Sequence, residues 1–221
     1  MLDVLHVTEA CGAGVRRHLG LLLPEMKRLG LSCGLLCFGS RIEPGFVQEF
    51  SGMGLDYFKV GEDRGSSLGC LAAAIGLVRR ACAETRPTAL HLHAFAAGAA
   101  GRLAAPPGPL LFYSPHAFTF HRPAGLARRC AVKGMELLLR GGVCKYVLVG
   151  EGEIEDAEAL GIGPDRIVLA RNGLQADFRK GLLPGSIARS RLGIGEWDVA
   201  VAIPCRLEPQ KGLVPIGRAH V

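Results

Sequence analysis

The chain has 221 residues, 49% of them apolar, 21% charged and 6% aromatic, with 31 glycines and a formal net charge of +6. One ordinary α/β domain fits that length and two do not, since a domain takes about 100–200 residues; so much apolar side chain excludes global disorder. The basic residues come as scattered pairs, Arg16-Arg17, Arg79-Arg80 and Arg128-Arg129, without interleaved aromatics or a zinc-finger pattern, so no nucleic-acid partner is expected.

In chain order, Leu2–Val7 reads as a buried strand and Val15–Leu29 as a helix, with apolar residues at helical spacing and Gly30 as its stop. Leu31–Phe38 is a second strand, Pro44–Phe50 a short helix and Leu55–Val60 a third strand. Leu68–Glu84 is helical, Ala89–His93 a strand after Pro87, Ala96–Ala104 a helix of small residues, and Leu110–Ser114 a strand ending at Pro115. Helix Gly125–Arg140, strand Lys145–Val149, helix Ile154–Leu160 and strand Arg166–Ala170 complete the series. Alternating strands and helices of this kind predict an α/β fold, a Rossmann-like parallel sheet with helices on both faces. We divide the chain into a domain over 1–173, a polar linker over 174–197, and, from 198 to 221, a buried first strand (Asp198–Pro204) with a helix start of an incomplete second domain.

Several residues could carry chemistry. Gly12-Ala13-Gly14 precedes a helix and can offer backbone N–H groups to a phosphate, or can simply be a turn needing glycine. His91 and His93 are two apart on a strand and point the same way, as two metal ligands would, but no acidic residue is near in sequence; packing at the strand end is the plainer reading and no metal site is assigned. His116 follows a buried strand at the carboxyl edge, where ligands bind in such sheets. Arg206 and Lys211, beside a helix start, suit a diphosphate clamp or a solvated pair. The Gly125–Arg140 helix, with Arg128, Arg129, Lys133 and Arg140, could lie on an anionic membrane or present a solvated face. The eight cysteines form no CxxC pair and read as small buried hydrophobes of a reducing compartment. The start has no basic leader region, and no apolar run reaches the ~18 residues of a membrane span. A cytoplasmic location, with peripheral contact at the inner membrane face, is therefore expected.

Together these segments resemble the nucleotide-sugar-dependent glycosyltransferases of family 4, which have the GT-B fold of two facing Rossmann-like domains. The stretch from Leu5 to His18 is similar to the family's first strand and glycine loop, and His91 to Arg102 to its H-x-H…G…GR segment. Ser114-Pro-His-Ala-Phe118 resembles T-P-H-G-F, Arg171-Asn-Gly173 resembles P-N-G, and Arg206 to Gly212 resembles G-R-L-x-x-x-K-G. The resemblance implies retaining transfer of a sugar from a nucleotide sugar to a glycan or lipid-linked acceptor, in polysaccharide or glycolipid assembly, with no cofactor and no obligatory metal. It implies that His116 contacts the transferred sugar, that Gly12, Gly14, Arg206 and Lys211 face the donor diphosphate, and that His93 and Asn172 lie on the acceptor or sugar side. Ala13 and Ala117 stand where the family has glycines, Gly150 where it has serine, Arg171 where it has proline and Cys205 where it has glycine. The family's E-x7-E motif lies farther along than this chain runs, so weak or no activity is expected of the chain alone. A nucleotide-sugar 2-epimerase of the same architecture and a non-catalytic truncated binding module are the alternatives.

Overall fold

A computed structural model describes residues 1–39, 42–61, 67–121, 124–175 and 177–205. They fall into two compact units that divide between Gly173 and Leu174.

The first unit alternates β1 (Val4–Thr8), α1 (Ala13–Arg28), β2 (Cys33–Cys37), α2 (Phe46–Ser51), β3 (Tyr57–Val60), α3 (Ser67–Thr85), β4 (Ala89–His93), α4 (Phe95–Ala104), β5 (Leu110–Ser114), α5 (Leu126–Leu139), β6 (Lys145–Leu148), α6 (Glu151–Ala159) and β7 (Ile167–Leu169). Its seven strands form one sheet in the order β3-β2-β1-β4-β5-β6-β7, and every pairing is parallel. The α/β expectation therefore holds, with β4 and β5 at their expected bounds and the other element boundaries shifted by at most three residues. The largest shift is at α6, which starts at Glu151 rather than Ile154. Glu151 and Glu153 occupy its first turn, where carboxylates meet the positive end of the helix dipole.

Strand alternation splits the core between the two sheet faces. On one, Val15, Leu19 and Leu23 of α1 pack with Cys33, Leu35 and Cys37 of β2 and with Phe46 and Phe50 of α2. On the other, Leu5, Val7, Leu36, Leu90, Leu92 and Tyr113 pack against Val78 and Ala81 of α3 and Ala97 and Ala100 of α4. Small residues let α4 lie very close to the sheet: a Cβ at Gly101 would come 2.2 Å from Leu92 Cδ2, and one at Gly98 would come 2.4 Å from the Tyr113 ring. Of the cysteines, Cys11, Cys33, Cys37 and Cys82 are buried as expected, whereas Cys130 and Cys144 are exposed; none of the eight is in a disulfide.

The second unit holds a 3-10 turn, Phe178–Gly181, and a short helix α7, Gly185–Arg191. The buried strand expected over Asp198–Pro204 does not form. Val199, Val201 and Ile203 are 92%, 82% and 49% exposed, because an apolar strand is buried only where neighbouring strands accept it. Arg206 and Lys211 lie outside the described residues.

Candidate functional site

β1 and β4 are neighbours in space but not in sequence, and their adjoining carboxyl ends mark the switch point at which parallel α/β sheets bind ligands. Register places His6 beside His91 and Thr8 beside His93, and His93 beside Ser114. Partnered residues of parallel strands share a face, so His6, His91 and His93 emerge together on the side that α1 covers. The ring centroids of His91 and His93 are 4.1 Å apart, those of His6 and His91 5.2 Å. From α1, one turn beyond Gly14, His18 brings its ring 5.7 Å from that of His93 and 4.8 Å from that of His116.

The five imidazoles are ordered by hydrogen bonds. His6 Nδ1 and His93 Nε2 share one at 3.0 Å, and His93 Nδ1 and His116 Nε2 share the next at 3.0 Å. His91 Nε2 bonds with Ser114 Oγ at 2.9 Å. His18 Nδ1 lies 2.9 Å from Asn172 Oδ1; the amide oxygen only accepts, so this nitrogen donates. His6 Nε2 and His18 Nε2 are buried without a hydrogen-bond partner.

Burial depresses the basicity of this group. His6 is pushed down to about 3 by desolvation and then by the nearby His18, and His116 to about 3 for the same two reasons. Desolvation, aided by neighbouring imidazoles, holds His91 and His93 well below the usual histidine range. His6, His91, His93 and His116 are therefore neutral rings at pH 7, each offering one donor and one acceptor.

Carboxylates of the chain itself tie down the surrounding loops. Glu43 Oε1 accepts the Ala13 N–H at the start of α1, at 2.9 Å. A Cβ at Gly12 would lie 2.4 Å from that oxygen, so a larger residue there would push the Glu43 side chain aside; Gly14 faces open space. The α1 N-terminus thus already holds an anionic group, and the side chain supplying it is 48% exposed. Glu9 accepts the N–H groups of Ala96 and Ala97 at the start of α4, both at 2.9 Å. Glu153 accepts the Val149 N–H at 2.8 Å and also that of Ala117. His116 and Ala117, at φ +50° and +77°, sit in the left-handed region, as does Ala13 at +47°. Glycine takes that conformation at less cost than alanine.

The residues singled out in the sequence thus divide clearly. His93, His116 and Asn172 converge, joined through His18; Gly12 and Gly14 lie at the start of the helix that carries His18. Sequence reasoning missed His6 and His18 as partners of the cluster. Nothing local marks either one, since His6 meets His91 only through the pairing of β1 with β4.

Comparisons with known proteins bear on this geometry. The profile of the family described as "Glycosyl transferase 4-like domain" matches residues 13–173. Similar solved structures include sucrose-phosphate synthase from Thermosynechococcus elongatus, at 10% identity and TM-score 0.63, covering 88% of this chain and 53% of that one. A glycosyltransferase from Rickettsia africae aligns at 13% identity and TM-score 0.61, covering 88% and 50%. UDP-N-acetylglucosamine 2-epimerase from Rickettsia bellii aligns at 15% identity and TM-score 0.60, covering 88% and 52%. At such identities the likeness is one of fold, and the chain spans about half the length of these structures. A search of curated proteins gives no match.

Proposed function

Because the chain belongs to the glycosyl transferase 4-like family, with the N-terminal half of the GT-B architecture, we propose that it serves retaining transfer of a sugar from a nucleotide sugar to a glycan or lipid-linked acceptor. His116 faces the transferred sugar, His93 and Asn172 line the acceptor or sugar side, and Gly12 and Gly14 turn toward the donor phosphates. The convergence of His93, His116 and Asn172 on His18 at the carboxyl edge of the sheet carries this reading.

Neutrality of the imidazoles assigns their work. A His116 that stays uncharged at pH 7 can exchange hydrogen bonds with sugar hydroxyls but does not neutralise a departing diphosphate. That charge falls to cations and backbone N–H groups, the part we give to Arg206, Lys211 and the α1 N-terminus, where Glu43 must give way to phosphate. No cofactor or obligatory metal enters this reaction. The 2-epimerase reading has similar structures on its side, but it needs carboxylates free to act on the sugar. Glu9 and Glu153 are instead spent on backbone N–H groups, which favours transfer.

Saturation-transfer NMR of the purified chain against UDP-, GDP- and ADP-hexoses tests the assignment. Contact to the sugar ring of one donor class is expected, weakened at least about tenfold in His116→Ala, the order of one lost hydrogen bond to a buried group. No transfer of magnetisation to any nucleotide sugar would leave the chain a non-catalytic module. An epimerised sugar accumulating in the same sample would move the assignment to epimerisation.

We place the reaction at the cytoplasmic face of a membrane, with α5 as the contact. Leu126 and Leu138 are 76% and 79% exposed on that helix, beside exposed Arg128, Arg129 and Lys133. Among the described residues no helix is long and apolar enough to cross a membrane. Co-sedimentation with anionic vesicles at low salt, lost at high salt, is the expected result; equal pelleting with neutral vesicles contradicts it.

A further inference from the structure

We propose that His18, His93 and His116 form a binding site for one transition-metal ion of the zinc class, three imidazole ligands with a fourth position open to solvent. One ligand nitrogen from each residue lies within 4.8 Å of the others. A tetrahedral ion with bonds of 2.0–2.1 Å holds its ligand atoms about 3.3 Å apart, so small ring rotations suffice.

The hydrogen bonds select the ligand atoms. His18 donates Nδ1–H to Asn172 Oδ1, so its Nε2 carries the lone pair of the neutral ring, buried and with no partner. A metal-bound histidine that donates its other N–H to an oxygen is the usual outer-sphere arrangement. His93 can donate Nε2–H to a ring nitrogen instead, His6 Nδ1, which frees Nδ1 for the ion alongside His116 Nε2. A deeper trio, His6, His91 and His93, also has suitable spacing. There, however, His6 is fully buried and His91 Nε2 is engaged by Ser114, whereas His18 and His116 are only partly buried, so the rim trio is the one that solvent-borne ions reach. Nitrogen-only ligation favours zinc, cobalt, nickel or copper over magnesium or calcium. Where His116 also contacts the sugar, as the proposed function holds, a bound ion and donor exclude one another.

Cobalt(II) chloride titrated into the full chain, with exposed thiols blocked because Cys130 and Cys144 are open to solvent, provides the test. Expected is a visible d–d band saturating at one ion per chain, without a thiolate charge-transfer band, displaced by zinc chloride and unaffected by magnesium chloride. Asn172→Ala, on an exposed residue, should weaken cobalt binding about 10–100-fold, and His18→Gln at least as much. No d–d band, a band unchanged in both variants, or displacement by magnesium overturns the site. Should His18→Gln fail to fold by circular dichroism, Asn172→Ala decides alone. The readout needs no nucleotide sugar, so its failure leaves the transferase reading standing, and the reverse also holds.

Discussion

Replacing Glu136 with alanine lowers the unfolding free energy by about 3–5 kcal/mol, the usual loss when one partner of a buried ion pair is removed. Glu136 Oε2 lies 2.9 Å from Arg102 Nη2, and the two side chains are 2% and 1% exposed. Tyr113 donates its hydroxyl to Glu136 Oε1 at 2.8 Å, and the guanidinium sits 4.4 Å above the Tyr113 ring. Arg102 also donates from Nε to the Gly98 carbonyl at 2.8 Å. Truncating the carboxylate strands a charged guanidinium and a tyrosine hydroxyl between α4, α5 and the sheet. Glu136 is moreover the one fully buried residue along α5, one turn beyond Val132, which packs partly buried against the core. Urea melts of Glu136→Ala, Arg102→Met and the double variant Arg102→Met/Glu136→Leu check the claim. Each single change should cost several kcal/mol and the double far less, because an apolar pair needs no ionic partner. A loss under about 1 kcal/mol for both single variants would mean that solvent reaches the pair.

This pair also shows where reading the sequence stopped short. The run of α5 gives a basic, leucine-containing helix, and its charged residues read naturally as a solvated face. That Glu136 turns inward depends on Arg102, 34 positions earlier on another helix, and no periodicity connects the two. The order of strands and helices was legible because each is bounded by a local signal, such as Gly30 after α1 or Pro87 before β4. Spacing likewise put His91 and His93 on one side of β4. It could not say that β1 would lie beside β4 and bring His6 into register, nor that α1 would carry His18 over them. The stretch after Asp198 failed for a related reason: an apolar alternation shows that a segment can pair, and pairing needs a sheet to receive it. Contacts within one element are written in its own residues, whereas the histidine cluster is a property of topology.

Lowering the pH from 7 to 5 in the presence of a chelator should cost the fold about 2 kcal/mol through His6 alone, given that one pKa unit corresponds to 1.36 kcal/mol. Folded, His6 titrates at about 3 because burial excludes its charged form; unfolded, it titrates at the ordinary 6.5. Above 6.5 both states are neutral there and the group contributes no pH dependence. Between 6.5 and 3 the unfolded chain binds a proton that the folded chain refuses, so stability falls as the pH falls through that window. His91 and His93, shifted in the same direction by the same burial, add to the loss, as does His116 at the rim. The depressed carboxylates Asp3 and Glu84 act only below the ordinary carboxylate range, so the two effects separate along the pH axis. Urea midpoints measured from pH 7.5 to 5 should stay nearly level down to about 6.5 and decline below it. In His6→Gln the slope should shrink by about 1.4 kcal/mol per pH unit, the contribution of one proton. A midpoint that stays flat over this range, or imidazole proton resonances of the folded chain all titrating near 6.5, would mean that water enters the cluster and that its rings are charged as easily as free histidine.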